Sequence, residues 1–290
     1  MKKYFLLLFL MSFHVFSQVK GIVVDENNKP IPYVSIWVEN ENIGTTSEES
    51  GHFEISVSDK KKNLIFSSLG FEKRIIKAAD AEVVVLKPTA YDLKEIVVSN
   101  RKQTKAIEIG QSKSEILQAF DNGPRIDAKF FPYKPSYNKT RFIQQISILT
   151  DSSIDNASIK IHLYSVDADG FPGEELLDKD FIVSLKKGVV KQKIDVSDFN
   201  LILPKNGIFV AYEKLLITSN RIEKKIMDPN TKIAKSQITY VPLVLYNFVE
   251  REFLYTFSGG KWHKQVPEKT EDSSPKMRVY EPVIHLKLTN

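Results

Sequence analysis

Cysteine is absent from all 290 residues. That excludes disulfide stabilisation, and it excludes a lipid on an N-terminal cysteine as a surface anchor. Apolar residues at helical spacing over several turns are also missing, which argues against a helical fold. Gly-x-Ser-x-Gly, His-Glu-x-x-His and a phosphate-cradling glycine loop do not occur. No catalytic constellation, metal site or cofactor is therefore expected. Charge of one sign is not concentrated either. The 41 basic residues are scattered among 36 acidic ones, so nothing points to a nucleic-acid partner.

What is present begins with an export signal. Lys2 and Lys3 precede an apolar run from Tyr4 to Phe16, closed by Ser17 before Gln18. A basic start, an apolar stretch of this length and a small residue at its end make a secretory signal peptide, residues 1–17. The run holds Ser12 and His14 and falls short of the roughly 18 to 20 apolar residues of a membrane-spanning helix. No transmembrane segment is expected after cleavage. Loss of Lys2 and Lys3 lowers the formal net charge from +5 to +3. With 42% hydrophobic and 27% charged residues, the remainder reads as globular and long enough for two domains.

Residues 18–99 carry short alternating patterns. Val34, Ile36 and Val38 share one face of a strand, with Tyr33, Ser35, Trp37 and Glu39 on the other. Phe53, Ile55 and Val57 alternate with His52, Glu54 and Ser56, and Val83–Leu86 is wholly apolar. Asn27-Asn28-Lys29-Pro30 and Asp59–Asn63 are turns by composition. Gly44 and Gly51 flank a loop and are free to take positive φ. Six or seven short strands at this spacing suit a Greek-key sandwich.

Three groups of residues then carry a resemblance: Gly21-Ile22-Val23-Val24-Asp25, Pro30-Ile31-Pro32-Tyr33-Val34-Ser35-Ile36, and Gly44-Thr45-Thr46-Ser47 with Gly51-His52-Phe53. Together they resemble the carboxypeptidase regulatory-like domain. The resemblance implies a transthyretin-like sandwich of the kind that precedes other domains in exported and outer-membrane proteins, TonB-linked receptors included. It implies no peptidase activity, since the His-x-x-Glu pair of a metallocarboxypeptidase is missing here. The tail from Leu86-Lys87-Pro88 through Leu93-Lys94-Glu95-Ile96-Val97-Val98 resembles the family's last strand and exit. Leu93–Ser99 is expected as an edge strand, with strand donation to an envelope partner as the alternative.

Residues 100–113 are expected as a polar, basic linker with a short strand-like piece at Ile107, Ile109 and Gly110, and Ser114–Phe120 as a two-turn helix ended by Asp121-Asn122-Gly123-Pro124. Strand patterns resume in Phe142–Leu149 and Ser158–Val166, where Ile159, Ile161 and Leu163 oppose Lys160, His162 and Tyr164. Phe181–Leu185 and Val189–Val196 around Lys186-Lys187-Gly188 read as a hairpin, as do Phe253–Phe257 and Trp262 around Ser258-Gly259-Gly260-Lys261. About eight strands suggest a jelly-roll-like sandwich over residues 114–290. The fold class is all-β, two β-sandwiches in series. Asp167-Ala168-Asp169-Gly170 has too few acids for a calcium hand and reads as an inter-strand loop; whether Asp167 and Asp169 bind a cation stays open. Glu174-Glu175 reads as a solvated pair.

The functional reading is an exported, non-enzymatic protein of the cell envelope or surface, binding a protein or a glycan. It would reside in the periplasm, at the outer membrane or outside the cell. No residues are left after the second module for a membrane barrel. One alternative is a carbohydrate-binding protein acting through the second sandwich; another is a hydrolase whose acid pair comes from distant strands. The candidate contact residues are Trp37, His52, Tyr246, Tyr255 and Trp262, aromatic faces and one imidazole on otherwise ordinary strands. N-terminal sequencing of the exported protein checks the first step: the mature chain is expected to begin at Gln18, and a membrane-bound product retaining residues 1–17 would contradict it.

Overall fold

The computed structural model describes residues 17–89, 103–111, 117–121, 123–227, 233–266 and 276–290. Apart from Ser17, the expected signal peptide lies outside the described residues, as does the Leu93–Ser99 strand. The fold is all-β, as the sequence leads one to expect; among the described residues helix is limited to short 3-10 turns. No helix there is long and apolar enough to cross a membrane.

The first module has seven strands: β1 Ser17–Val24, β2 Ser35–Val38, β3 Gly44–Thr46, β4 His52–Val57, β5 Asn63–Ser67, β6 Arg74–Lys77 and β7 Val83–Val85. They form two sheets, β4-β1-β7 and β3-β2-β5-β6. In β4 the alternation is realised: Phe53, Ile55 and Val57 are buried, while His52, Glu54 and Ser56 are exposed. These three join Val23, Val34, Ile36, Val38, Leu64 and Phe66 in a core between the sheets. Gly51 takes the positive φ expected of it, +78°. Gly44 is glycine for another reason, since a Cβ there would lie 2.9 Å from the Ile36 carbonyl oxygen.

The second module is larger than expected. Its strands are β8 Ala106–Ile109, β9 Leu117–Ala119, β10 Ile126–Phe131, β11 Phe142–Ser152, β12 Ala157–Val166, β13 Pro172–Glu175, β14 Phe181–Leu185 and β15 Gly188–Asp195. There follow β16 Ile208–Lys214, β17 Arg221–Met227, β18 Ala234–Tyr240, β19 Leu243–Arg251, β20 Leu254–Ser258, β21 Lys261–Gln265, β22 Met277–Pro282 and β23 Ile284–Thr289. A front sheet runs β13-β12-β16-β10-β20-β21, with β14 also on β12. A back sheet runs β22-β19-β11-β23-β8, with β15 on β11 and β9 on β19. Ile159, Ile161, Leu163 and Val210 of the front sheet meet Ile146, Ile148, Ile284 and Leu286 of the back sheet in one core. The pair β17–β18 stands apart as a two-stranded ribbon.

Three sequence expectations need correction. Leu117–Ala119 is a strand paired with Leu245–Asn247, not the end of a helix; a waiting strand edge outweighs the weak helical signal of a seven-residue stretch. Residues 114–116 lie outside the described residues. Ala106–Ile109 is the strand-like piece read from the sequence, but it pairs with Leu286–Thr289 and belongs to the back sheet, not to a linker. Phe181–Leu185 and Gly188–Asp195 are not a hairpin: the first pairs with β12 and the second with β11. The turn residues are right, but the chain crosses there from one sheet to the other. The hairpin at Ser258-Gly259-Gly260-Lys261 forms as expected.

Gly51 yields a test of the first module. A Cβ at this position would combine a strained φ with a 2.6 Å approach to the Val23 carbonyl oxygen. Gly51→Ala is expected to cost about 1–3 kcal/mol, measured by urea denaturation; an unchanged midpoint would show that the loop relaxes freely.

Candidate functional site

Alternation in the front sheet places Lys160, His162 and Tyr164 of β12 and Phe209, Ala211 and Glu213 of β16 on its outer face. An outer face rich in charge would ordinarily be wet. Here the sheet β3-β2-β5-β6 of the first module lies across part of it, and the polar residues are covered. The Lys160 side chain is 1% exposed. Its Nζ donates to the Tyr33 carbonyl at 2.7 Å and pairs with Asp180 at 3.2 Å and Glu213 at 4.0 Å. Asp180 also accepts from Ser68 Oγ at 2.9 Å, so the lysine and its counter-charge are both tied to the first module.

His162 continues the cluster. Its Nδ1 lies 2.9 Å from Glu175 Oε2 and its Nε2 3.1 Å from Glu213 Oε2. Two carboxylates on two ring nitrogens favour the doubly protonated cation. Burial pushes the pKa down, but the charge and hydrogen bond of Glu175, with those of Glu213, outweigh it and hold His162 up at about 9. Burial likewise disfavours the Glu213 carboxylate, yet Lys160 and His162 bring its pKa below the usual range. Glu175 accepts a further bond from Leu163 N at 2.7 Å; it is not the solvated member of a pair that the sequence implies. Trp37 closes the seam edge-on to Phe257, with ring centroids 5.7 Å apart. A cavity of about 310 Å³ remains between the modules, walled by Trp37, Tyr164, Trp262 and the ionic cluster.

A second cleft, of about 520 Å³, opens at the far end of the same sheet. It follows from pairing lengths. β10 pairs with β16 along all of Ile126–Phe131, but with β20 only over Ile126–Ala128. Among the described residues, Lys129–Phe131 therefore pairs with a strand on one side only, and the cleft lies on the other. Phe130, Phe209, Phe253 and Tyr255 form its apolar wall; the rings of Phe130 and Phe253 lie 6.2 Å apart, tilted by 44°. Lys264 Nζ stands 4.9 Å from the Phe253 ring centroid, within cation–π reach.

At the base of this cleft Lys129, 3% exposed, pairs with Glu281 at 3.0 Å and donates to the Gly110 carbonyl at 2.7 Å. Arg251 grips the same carboxylate through Nε and Nη2. Burial lowers the Lys129 pKa and Arg251 adds to that, while Glu281 opposes both. Behind it, between the sheets, Asp127 accepts from Tyr246 Oη at 2.5 Å, Arg125 Nε at 2.8 Å and Thr256 Oγ1 at 3.1 Å.

The five residues singled out from the sequence fall in four places. Trp37 and Trp262 both line the seam cavity, each edge-on to Phe257. Tyr255 walls the corner cleft, its hydroxyl donating to the Gly170 carbonyl at 2.6 Å. Tyr246 is 1% exposed and bound to Asp127, a core position in which its ring is not available to a surface ligand. His52 is exposed on β4, 3.2 Å from Ser50 Oγ, away from both clefts. The Asp167 carboxylate accepts from the backbone of Asp169 and Phe171, an ordinary closure for an Asp-led turn. The ionic cluster itself had one sequence signal, a Lys-x-His pair inside an otherwise apolar strand.

Residues 19–98 match the CarboxypepD_reg-like domain family. The first module is a CarboxypepD_reg-like domain. TonB-dependent receptor P3 of Formosa agariphila is 32% identical over 121 residues, 40% of this chain. The chain spans only 12% of that receptor's length. Among solved structures, the infectious bursal disease virus VP2 subviral particle aligns with a TM-score of 0.23 and 10% identity, over 94% of this chain and 59% of that one. The Gt strain structure of the same virus gives 0.19 and 9%, over 95% and 56%. Scores this low carry no argument about the fold. The regulatory-like domain and the distant receptor relative point to an envelope-associated protein.

The ionic seam has a pH signature. A histidine raised from 6.5 to about 9 contributes stability fully present below pH 6.5 and lost as pH rises through 9. The contribution is on the order of 3 kcal/mol, and Lys160, Tyr164, Glu175, Asp180 and Glu213 are the groups that face it. Denaturant unfolding between pH 6 and pH 10 is expected to show this loss, and His162→Gln to flatten it. An equal slope in the variant would assign the loss to other groups.

Proposed function

We propose that the chain is an exported, non-enzymatic envelope protein that holds a protein or glycan ligand in the corner cleft beside β10. The observation that carries this is the cleft itself: aromatic walls, a short unpaired strand edge and a fixed charged base, on a sheet clamped in place by the first module. Concave, largely apolar sites with a few placed polar groups are the usual form of a binding site. The regulatory-like domain and the similarity to a TonB-dependent receptor support the envelope setting. The carboxylates nearest to an acid pair, Glu175 and Glu213, are committed to His162, Lys160 and Leu163 N, which favours binding over hydrolysis at the seam. A glycan is the second reading, supported by the tilted faces of Phe130 and Phe253.

Site-directed photo-crosslinking in cells tests the proposal. A benzoylphenylalanine at position 253 is expected to capture an envelope component; the same group at Val189, exposed on the back sheet, is expected to capture none. Equal capture at both positions, or none at 253, would remove the cleft from consideration.

A further inference from the structure

One lysine in the seam meets two acids. Lys160 of β12 stands directly opposite Glu213 of β16. Asp180 immediately precedes β14, the strand that pairs with β12 on its other side. Lys160 Nζ is 3.2 Å from Asp180 Oδ2 and 4.0 Å from Glu213 Oε2, and the three side chains are 1%, 17% and 4% exposed. Charge is balanced around the cavity they share, where Lys73, Lys160 and His162 face Glu175, Asp180 and Glu213. No ligand is needed to account for it.

A plain ion pair does not explain how firmly the Asp180 carboxyl is aimed. Ser68 Oγ donates to its Oδ2 at 2.9 Å, and Leu69 N donates to its Oδ1 at 3.4 Å. The Tyr33 carbonyl, 2.7 Å from Nζ, fixes the amine from a third direction. Reactants held in contact in this way behave as if they were at very high concentration. The chain also has no cysteine, so a covalent tie between its strands has to come from other side chains.

We propose that Lys160 and Asp180 condense to an intramolecular amide in the folded protein, with Glu213 as the proton carrier. The proposal is independent of the corner cleft. A proton passes along the Nζ–Oδ2 contact, turning ammonium and carboxylate into amine and carboxylic acid with no change in net charge. The nitrogen lone pair then attacks Cγ, and Oδ1 takes up the carbonyl electron pair where the Leu69 N–H meets it. Glu213 accepts one proton from the bonded nitrogen and passes it to the departing Oδ2 hydroxyl. The Cγ–Oδ2 bond breaks, one water leaves into the adjoining cavity of about 310 Å³, and Glu213 is again a carboxylate. One hydrogen stays on Nζ to donate to the Tyr33 carbonyl.

The bond closes Lys160 to Asp180 into a loop, which removes freedom from the unfolded chain as a disulfide does. Tyr33, Ser68 and Leu69 all belong to the first module, so the amide forms only once the two modules have docked.

Mass spectrometry of the full mature protein tests this. The intact mass is expected to lie one water below that of the sequence. In a tryptic digest, cleavage at Lys160 is expected to be lost, and residues 142–179 to appear joined to residues 180–186. Glu213→Gln is expected to lower the joined species about tenfold or more. Because Glu213 also holds His162, a second variant leaves it in place. Asp180→Asn is expected to give the same joined product, with ammonia leaving instead of water. Wild-type protein of full sequence mass, cut normally at Lys160, overturns the proposal. A missing water that maps to Asp169-Gly170, where an Asp-Gly pair is able to cyclise, overturns it equally. An undiminished joined peptide in Glu213→Gln overturns the role given to Glu213.

Discussion

The burial of one ammonium group, Lys160 Nζ, constrains how the two modules sit together. Its hydration is lost, and its compensation comes from both sides of the seam: a carbonyl of the first module at 2.7 Å and two carboxylates of the second at 3.2 and 4.0 Å. Asp180 is held in turn by Ser68. Apolar contact alone, such as Trp37 on Phe257, is non-directional and tolerates sliding. The ionic cluster does not, because displacing the first module by one residue removes Tyr33 and Ser68 from their partners and leaves a buried charge short of compensation. Further bonds extend the same docking along the seam: Leu216 N donates to Thr46 Oγ1, and Thr218 donates through N and Oγ1 to the Glu48 carboxylate.

The sequence is informative wherever a strand has one apolar face. Phe53, Ile55 and Val57, and again Ile159, Ile161 and Leu163, are read correctly because period-two alternation assigns a core side without reference to the rest of the chain. What alternation does not specify is whether the opposite face meets water. Lys160 and His162 look solvated by the same rule, and are buried because a sheet of the first module covers them, with the Tyr33 carbonyl 127 residues from Lys160 in sequence. Glu175 fails to be recognised for a related reason: its partner His162 is thirteen residues distant, across a turn. Turn residues carry a similar ambiguity. Lys186-Lys187-Gly188 marks a reversal, but whether the next strand returns to the same sheet or crosses to the other depends on which edges are vacant.

The corner cleft was harder still to read. Ile126-Asp127-Ala128-Lys129-Phe130-Phe131 carries two charges inside an apolar strand, and that is its one local signal. Asp127 and Lys129 point between the sheets, where an unpaired charge is untenable, so their presence implies partners elsewhere in the core. Arg125 immediately precedes the strand, but Tyr246 and Arg251 of β19 and Glu281 of β22 lie far along the chain, and no spacing rule connects them to it. The cleft itself arises from a mismatch of lengths, since β20 ends its pairing three residues before β16 does. A difference of that kind is a property of the assembled sheet and has no counterpart in any single stretch of sequence.

Both clefts lie on one outer face, and this links the seam to the site. Ile126, Ala128, Phe209, Ala211 and Tyr255 form a continuous apolar layer there, flanked by Phe130, Phe253, Phe257 and Trp262. A layer of that extent left bare would be an adhesive surface in its own right. The first module covers the end near Phe257 and Trp262, and the end near Phe130 and Phe253 stays accessible. The covering sheet therefore sets the size and position of the aromatic surface that remains, without contributing a residue to the wall of the corner cleft. In mechanical terms the regulatory-like domain acts on the cleft from a distance: it immobilises β12 and β16 through the ionic seam, and β16 is the strand that holds Lys129–Phe131 in line.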